Sequence, residues 1–277
     1  MIAIGLLLAF AAGLVWLSPR ALTAGGWQVR APRLALALWH LAFLLGLTAA
    51  VVSAVIAVVQ TLAATGGAGP VAVAATVGGW FALAGVGGGV MIVAAGGGDV
   101  GGASRTNQGA LLALPHSARA LDRHTELRVC AATEPFACSV PGPRGTVLVT
   151  TGLIALLTPA QLRAVVAHER AHLSQRHHLA MRLADLQVAC LPRSATARRM
   201  RRCTSLLIEL IADDSAARSA GAVHLANALV RLGRATGDEA MQLRAERLSR
   251  GHWRPSSRLD PLPAVFPALA HGVAPRR

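Results

Sequence analysis

The sequence has no lysine and no tyrosine, and aromatic residues make up only 4% of it. All 27 basic side chains are therefore arginines; against 13 acids they give a net charge of +14. The lack of tyrosine removes the phenol as a donor in any active site. Charge is nearly absent from the first hundred residues, where Arg20, Arg30, Arg33 and Asp99 are the only charged side chains. With 53% hydrophobic residues and a mean hydropathy of +0.49, this excludes an ordinary soluble domain for that half. The four cysteines, Cys130, Cys138, Cys190 and Cys203, form no CxxC pair, which excludes zinc-finger spacing. They read as free thiols in a reducing compartment, packed as small hydrophobes.

The first half consists of apolar runs. Residues 2–17, 34–62 and 71–95 read as three transmembrane helices within a region spanning residues 1–98. The second run comfortably exceeds the length needed to cross about 30 Å of hydrocarbon. The third is rich in Gly and Ala, which allow close helix packing in a membrane. Loop 18–33 carries three arginines, loop 63–70 carries no charge, and the chain after Gly98 is arginine-rich. The excess of positive charge on cytoplasmic loops then places the N-terminus outside and everything after the third span in the cytoplasm. The expected location is the cell membrane, multi-pass. The arginine surplus reads as a solvated face near anionic lipid, so the bilayer is a partner and no direct nucleic-acid binding is expected.

Residues 99–253 read as an α+β domain with a small sheet, and the chain as a mainly α membrane protein. A short helix is expected at 115–124, with Pro115 in its first turn. Strands are expected at 126–132, 136–140 and 146–150, with a turn at Pro141-Gly142-Pro143-Arg144-Gly145. The strand 146–150, centred on Leu148, is a candidate sheet edge for pairing with an extended substrate. Thr158-Pro159-Ala160-Gln161 signals a helix start: Thr158 caps, Pro159 fits the first helical position and Gln161 completes a capping box. That helix is expected to run to about Leu191, where Pro192 stops it. An arginine-rich link, 193–202, precedes helices at 203–219, 222–234 and 239–250. The tail 254–277 holds five prolines and reads as disordered.

Within the capped helix stands His168-Glu169-Arg170-Ala171-His172. Two histidines four apart share one helix face, so both imidazoles can bind one zinc ion. Glu169 between them can reach a zinc-bound water as general base. Catalytic zinc takes three protein ligands. The best third candidate is Glu209, an acid in an otherwise apolar helical segment that is costly there unless exposed, paired or bound to metal. Asp213, one turn later, can accept from the outer nitrogen of a ligand histidine; Asp214 competes for that role.

The segments 136–142, 147–153 and 164–172, with Arg176-His177-His178 and Glu209 to Asp213, resemble integral-membrane gluzincin peptidases. These include the BlaR-type antirepressor peptidases and the HtpX and CAAX-prenyl-protease relatives. The resemblance covers about residues 105–235. It implies His168, His172 and Glu209 as ligands of one Zn2+ per chain, Glu169 as catalytic base and Asp213 as orienting acid. It also implies a protein or peptide substrate: a transcriptional repressor by the BlaR-type likeness, damaged membrane protein by the HtpX-type likeness. BlaR-type sensors carry an extracellular domain after a last span, and the proline-broken tail is a poor span, so a β-lactam receptor role is not expected. His177 and His178 read as basic residues beside the membrane. With no tyrosine available, a His or Arg must donate to the oxyanion, and His224 is the candidate. The alternative from another class is a non-catalytic, arginine-rich membrane scaffold that binds no zinc.

Overall fold

The computed structural model describes residues 25–64 and 115–251 continuously, with Trp253 and scattered positions elsewhere. The expected spans 2–17 and 71–95 fall partly outside the described residues, and the tail 254–277 entirely so. The chain divides into two compact units, residues 1–103 with 182–207 and residues 104–181 with 208–277.

In the first unit, a single turn of helix, α1 (Trp27–Arg30), leads into α2 (Pro32–Ala64). Pro32 opens α2, where its missing N–H removes no intrahelical bond. Over Pro32–Gln60 the mean hydropathy is 2.6, long and apolar enough to cross a membrane. This is the one such helix among the described residues, and it contains the expected span 34–62. Leu34, Leu41, Leu45, Val55 and Val59 point outward along it, while Ala35 and Trp39 pack with Met200 and Leu207.

The second unit is built on four strands, β1 (His116–Ala120), β2 (Thr125–Cys130), β3 (Ala137–Val140) and β4 (Gly145–Thr150), in the order β1-β2-β4-β3. β2 and β4 are parallel; β1 and β3 pair antiparallel on either side of them. Two expectations are corrected here. Residues 116–120 form an edge strand rather than a helix, because β2 supplies a complete ladder of partners from Ala120↔Glu126 to His116↔Cys130. And β4 is interior, hydrogen-bonded on both sides, so it offers no edge to a substrate; β3 is the edge on that side. Burial agrees: Val147, Leu148 and Val149 are all within 1% of full burial.

The helices follow as α3 (Thr151–Leu156), α4 (Pro159–Ser174), α5 (His177–Cys190), α6 (Ala195–Ala216), a π-helical segment (Ala217–Gly221), α7 (Ala222–Thr236) and α8 (Glu239–Arg250). The Thr150 side chain caps α3 by accepting from the Leu153 N–H. At Gly152 the chain crosses the 132–134 segment so closely that a Cβ would lie 2.0 Å from the Thr133 carbonyl oxygen. The capping box at α4 is present: Gln161 N–H donates to Thr158 Oγ1 at 3.4 Å, and Thr158 N–H donates to Gln161 Oε1 at 3.0 Å.

The expected single helix to Leu191 is two helices. Arg176 takes a left-handed backbone (φ 52), which an α-helix cannot continue through. The arginine-rich link is also helical from Ala195, since arginine is a good helix former and Ser194 Oγ accepts from the Ala197 N–H at 3.2 Å.

α4 is held on two sides. Leu162, Val165 and Val166 pack against Leu127, Val147 and Val149 of the sheet and Ala228 and Leu232 of α7. Ala164 and Ala167 pack with Leu225, Leu229, Ala245 and Leu248 of α7 and α8. Each fully buried aliphatic chain contributes about 1.5–3 kcal/mol, so α4 is fixed on several independent contacts.

Candidate metal centre

α4 carries His168 and His172 one turn apart, with Glu169 beside them. The 208–216 part of α6 carries Glu209 and Asp213, also one turn apart and so on one face. The two pairs meet. His168 Nε2 lies 3.1 Å from His172 Nε2 and 3.3 Å from Glu209 Oε2; His172 Nε2 lies 3.5 Å from Glu209 Oε1. Ligand atoms about 2.0–2.1 Å from a tetrahedral zinc stand about 3.3–3.4 Å from one another. The separations lie near that edge, with Glu209 offering Oε2 toward His168 and Oε1 toward His172. One atom from each residue can be chosen so that all lie within 4.8 Å of one another, so the set can hold a zinc ion. Two imidazoles and one carboxylate are also a donor set that zinc favours.

The outer nitrogens are occupied separately. His168 Nδ1 lies 3.0 Å from Oδ1 of the fully buried Asp213. His172 Nδ1 lies 3.0 Å from Nδ1 of His177. Asp214, the competitor, turns to Arg247 at 2.7 Å.

A cation unforeseen in the sequence completes the cluster. Arg244 of α8 contacts Asp213 through Nε–Oδ2 at 2.8 Å and Nη2–Oδ1 at 2.7 Å, and Glu209 Oε2 through Nη1 at 3.0 Å. The signal for it was indirect: a buried Asp213 demands a counter-charge, but nothing in the spacing says which of 27 arginines supplies it. His224 stands exposed on α7, and among the described residues no hydrogen bond or ion pair joins it to the cluster.

These charges set the ionisation. Burial pushes both acids up, but hydrogen bonds from His168 to Glu209 and from Arg244 to Asp213 prevail and hold each at about 2. Burial pushes His168 down, yet Asp213 and Glu209 carry it up to about 9. Burial and the neighbouring His168 hold His172 at about 3. For Glu169, burial raises the pKa, His168 opposes it and the negative Glu209 adds to it; the net direction is up. The Ser139 side chain on β3 hydrogen-bonds Glu169. Nearby Cys138 is pushed up to about 12 by burial and by Glu169, so it stays a neutral thiol. All four cysteines are free; Cys130 is buried and the others only partly so.

Residues 111–246 match the model of peptidase family M48. The match spans just under half of the chain and takes in the sheet, α4, the acidic turns of α6 and Arg244. No curated protein and no solved structure matches the chain. The M48 likeness points to a metallopeptidase, and the His168, His172 and Glu209 cluster lies inside the matched residues.

Proposed function

We propose that the second unit is a zinc endopeptidase, anchored to a membrane through α2 and acting on the cytoplasmic side. The observation that carries this reading is the convergence of His168, His172 and Glu209, whose ligand atoms lie within 4.8 Å of one another, beside Glu169. Zinc held there supplies Lewis acidity and lowers the pKa of water to about 7. Glu169 accepts the proton of the attacking water and passes it to the leaving amine. Asp213 Oδ1, 3.0 Å from His168 Nδ1, is placed to take up the proton of that nitrogen and leave Nε2 to the metal. Arg244 holds Asp213 and Glu209 together, and its positive charge favours the developing oxyanion. It takes over the role that the sequence offered to His224.

β3 is the strand along which an extended peptide would pair. Its Ser139 reaches Glu169, and among the described residues its only strand partner is β4. The Thr150 N–H donates to the Phe136 carbonyl, so alternation turns the backbone N–H groups of Ala137 and Ser139 toward the free edge. Ala137→Pro removes one outward donor without a ladder bond; a raised KM with unchanged fold is expected. Main-chain pairing gives weak sequence specificity, which suits either a repressor or a damaged membrane protein as target.

The deciding experiment assays the purified full chain for bound zinc and casein cleavage, wild type beside Glu169→Gln. The variant should keep zinc and lose about 10²–10⁴-fold in turnover. Metal-free protein with equal activity in both forms would return the chain to the scaffold reading.

A further inference from the structure

His177 opens α5 immediately after the left-handed Arg176, and this reversal folds its ring back onto α4. A basic residue beside a membrane would be exposed; His177 is 4% exposed. Its ring stands edge-on to that of His172, with centroids 4.9 Å apart and Nδ1 facing Nδ1 at 3.0 Å. Two ring nitrogens at that distance make a hydrogen bond only if one bears a proton and the other is bare. His172 turns Nε2 toward His168 and Glu209, so a ligand role leaves Nε2 bare and puts its proton on Nδ1. His177 must then accept at Nδ1 and carry its own proton on Nε2.

We propose that His177 is a positioning residue for the metal, fixing the tautomer and ring plane of His172 as Asp213 does for His168. This rests on the zinc reading above. The imidazole orients His172 without adding charge.

The test compares His177→Leu with His177→Asn in the full chain. Leucine fills the buried space but cannot accept a hydrogen bond; the asparagine oxygen sits about where Nδ1 does and can. Zinc affinity is read by chelator competition, and folding by thermal melting of the metal-free protein. The leucine variant should melt no lower than wild type and bind zinc about 10–100-fold more weakly, with asparagine restoring affinity to within a few-fold. Equal zinc affinity in wild type and His177→Leu, or an equal loss in both variants, overturns the proposal while leaving the zinc reading intact. Wild type that takes up no zinc overturns both. If the leucine variant does not fold, nitrogen shifts in the zinc-loaded wild type decide: a proton on His172 Nδ1 and on His177 Nε2 supports the proposal, and a proton on His177 Nδ1 overturns it.

Discussion

Arg244 grips Asp213 at two points, Nε on Oδ2 at 2.8 Å and Nη2 on Oδ1 at 2.7 Å, with the carboxylate fully buried. The geometry is the parallel two-bond fork that arginine makes and lysine cannot. It ties α8 to α6 through the residue whose Oδ1 lies 3.0 Å from His168 Nδ1.

Removing one partner of such a pair strands a buried charge, which costs about 3–5 kcal/mol. Arg244→Met should lower the urea-unfolding free energy of the metal-free protein by that order. Arg244→Lys should fall between it and wild type. A methionine variant within about 0.5 kcal/mol of wild type would show that solvent already reaches Asp213.

The two neighbouring acids should behave differently toward metal. Asp213→Ala removes the group 3.0 Å from His168 Nδ1 and should weaken zinc binding about 10–100-fold. Asp214→Ala breaks only the contact with Arg247 and should leave zinc affinity unchanged. Chelator competition on both variants checks the pair, and a reversed order would reassign the orienting acid.

Gly152 is fixed by contact. Its absent Cβ would meet the Thr133 oxygen at 2.0 Å, and that neighbour is backbone rather than a side chain that can swing aside. Gly152→Ala should destabilise by about 1–3 kcal/mol or more. Gly142→Ala, where the nearest atom lies at 3.4 Å, should be far milder. Melting temperatures of the two variants give the comparison.

The α4 cap stands apart from the ligands, so its loss should affect stability without affecting chemistry. Thr158→Ala removes the acceptor for Gln161 N–H and should cost about 1 kcal/mol, with Thr158→Ser restoring most of it. Turnover per folded molecule should not change.

What was legible in the sequence were features written in short, regular spacings. The capping box, the four-residue steps His168–His172 and Glu209–Asp213, the turn between β3 and β4, and the helices from Ala222 and Glu239 are of this kind. Features that depend on distant partners were not legible. β1 reads His-Ser-Ala-Arg-Ala, which has no large apolar or β-branched residue, and becomes a strand because β2 pairs with it. The sheet order places β3 outside β4, so the edge belongs to β3 and not to the strand 146–150 that the sequence offered for it. The break at Arg176 has no glycine or proline to announce it, and without the break His177 would not have turned toward His172. Arg244 is one polar residue in a polar helix, and only the buried acid on α6 gives it a purpose.

The same break bears on the order in which the site comes together. His168, His172 and His177 lie within ten consecutive residues, whereas Glu209, Asp213 and Arg244 arrive from much later in the chain. Contacts between near neighbours close at a smaller entropic cost and faster than those across long loops. The histidine side of the centre is therefore expected to close first, and an ion bound during folding would meet two imidazoles and Glu169 before Glu209 arrives, so that metal capture would guide the docking of α6 and α8.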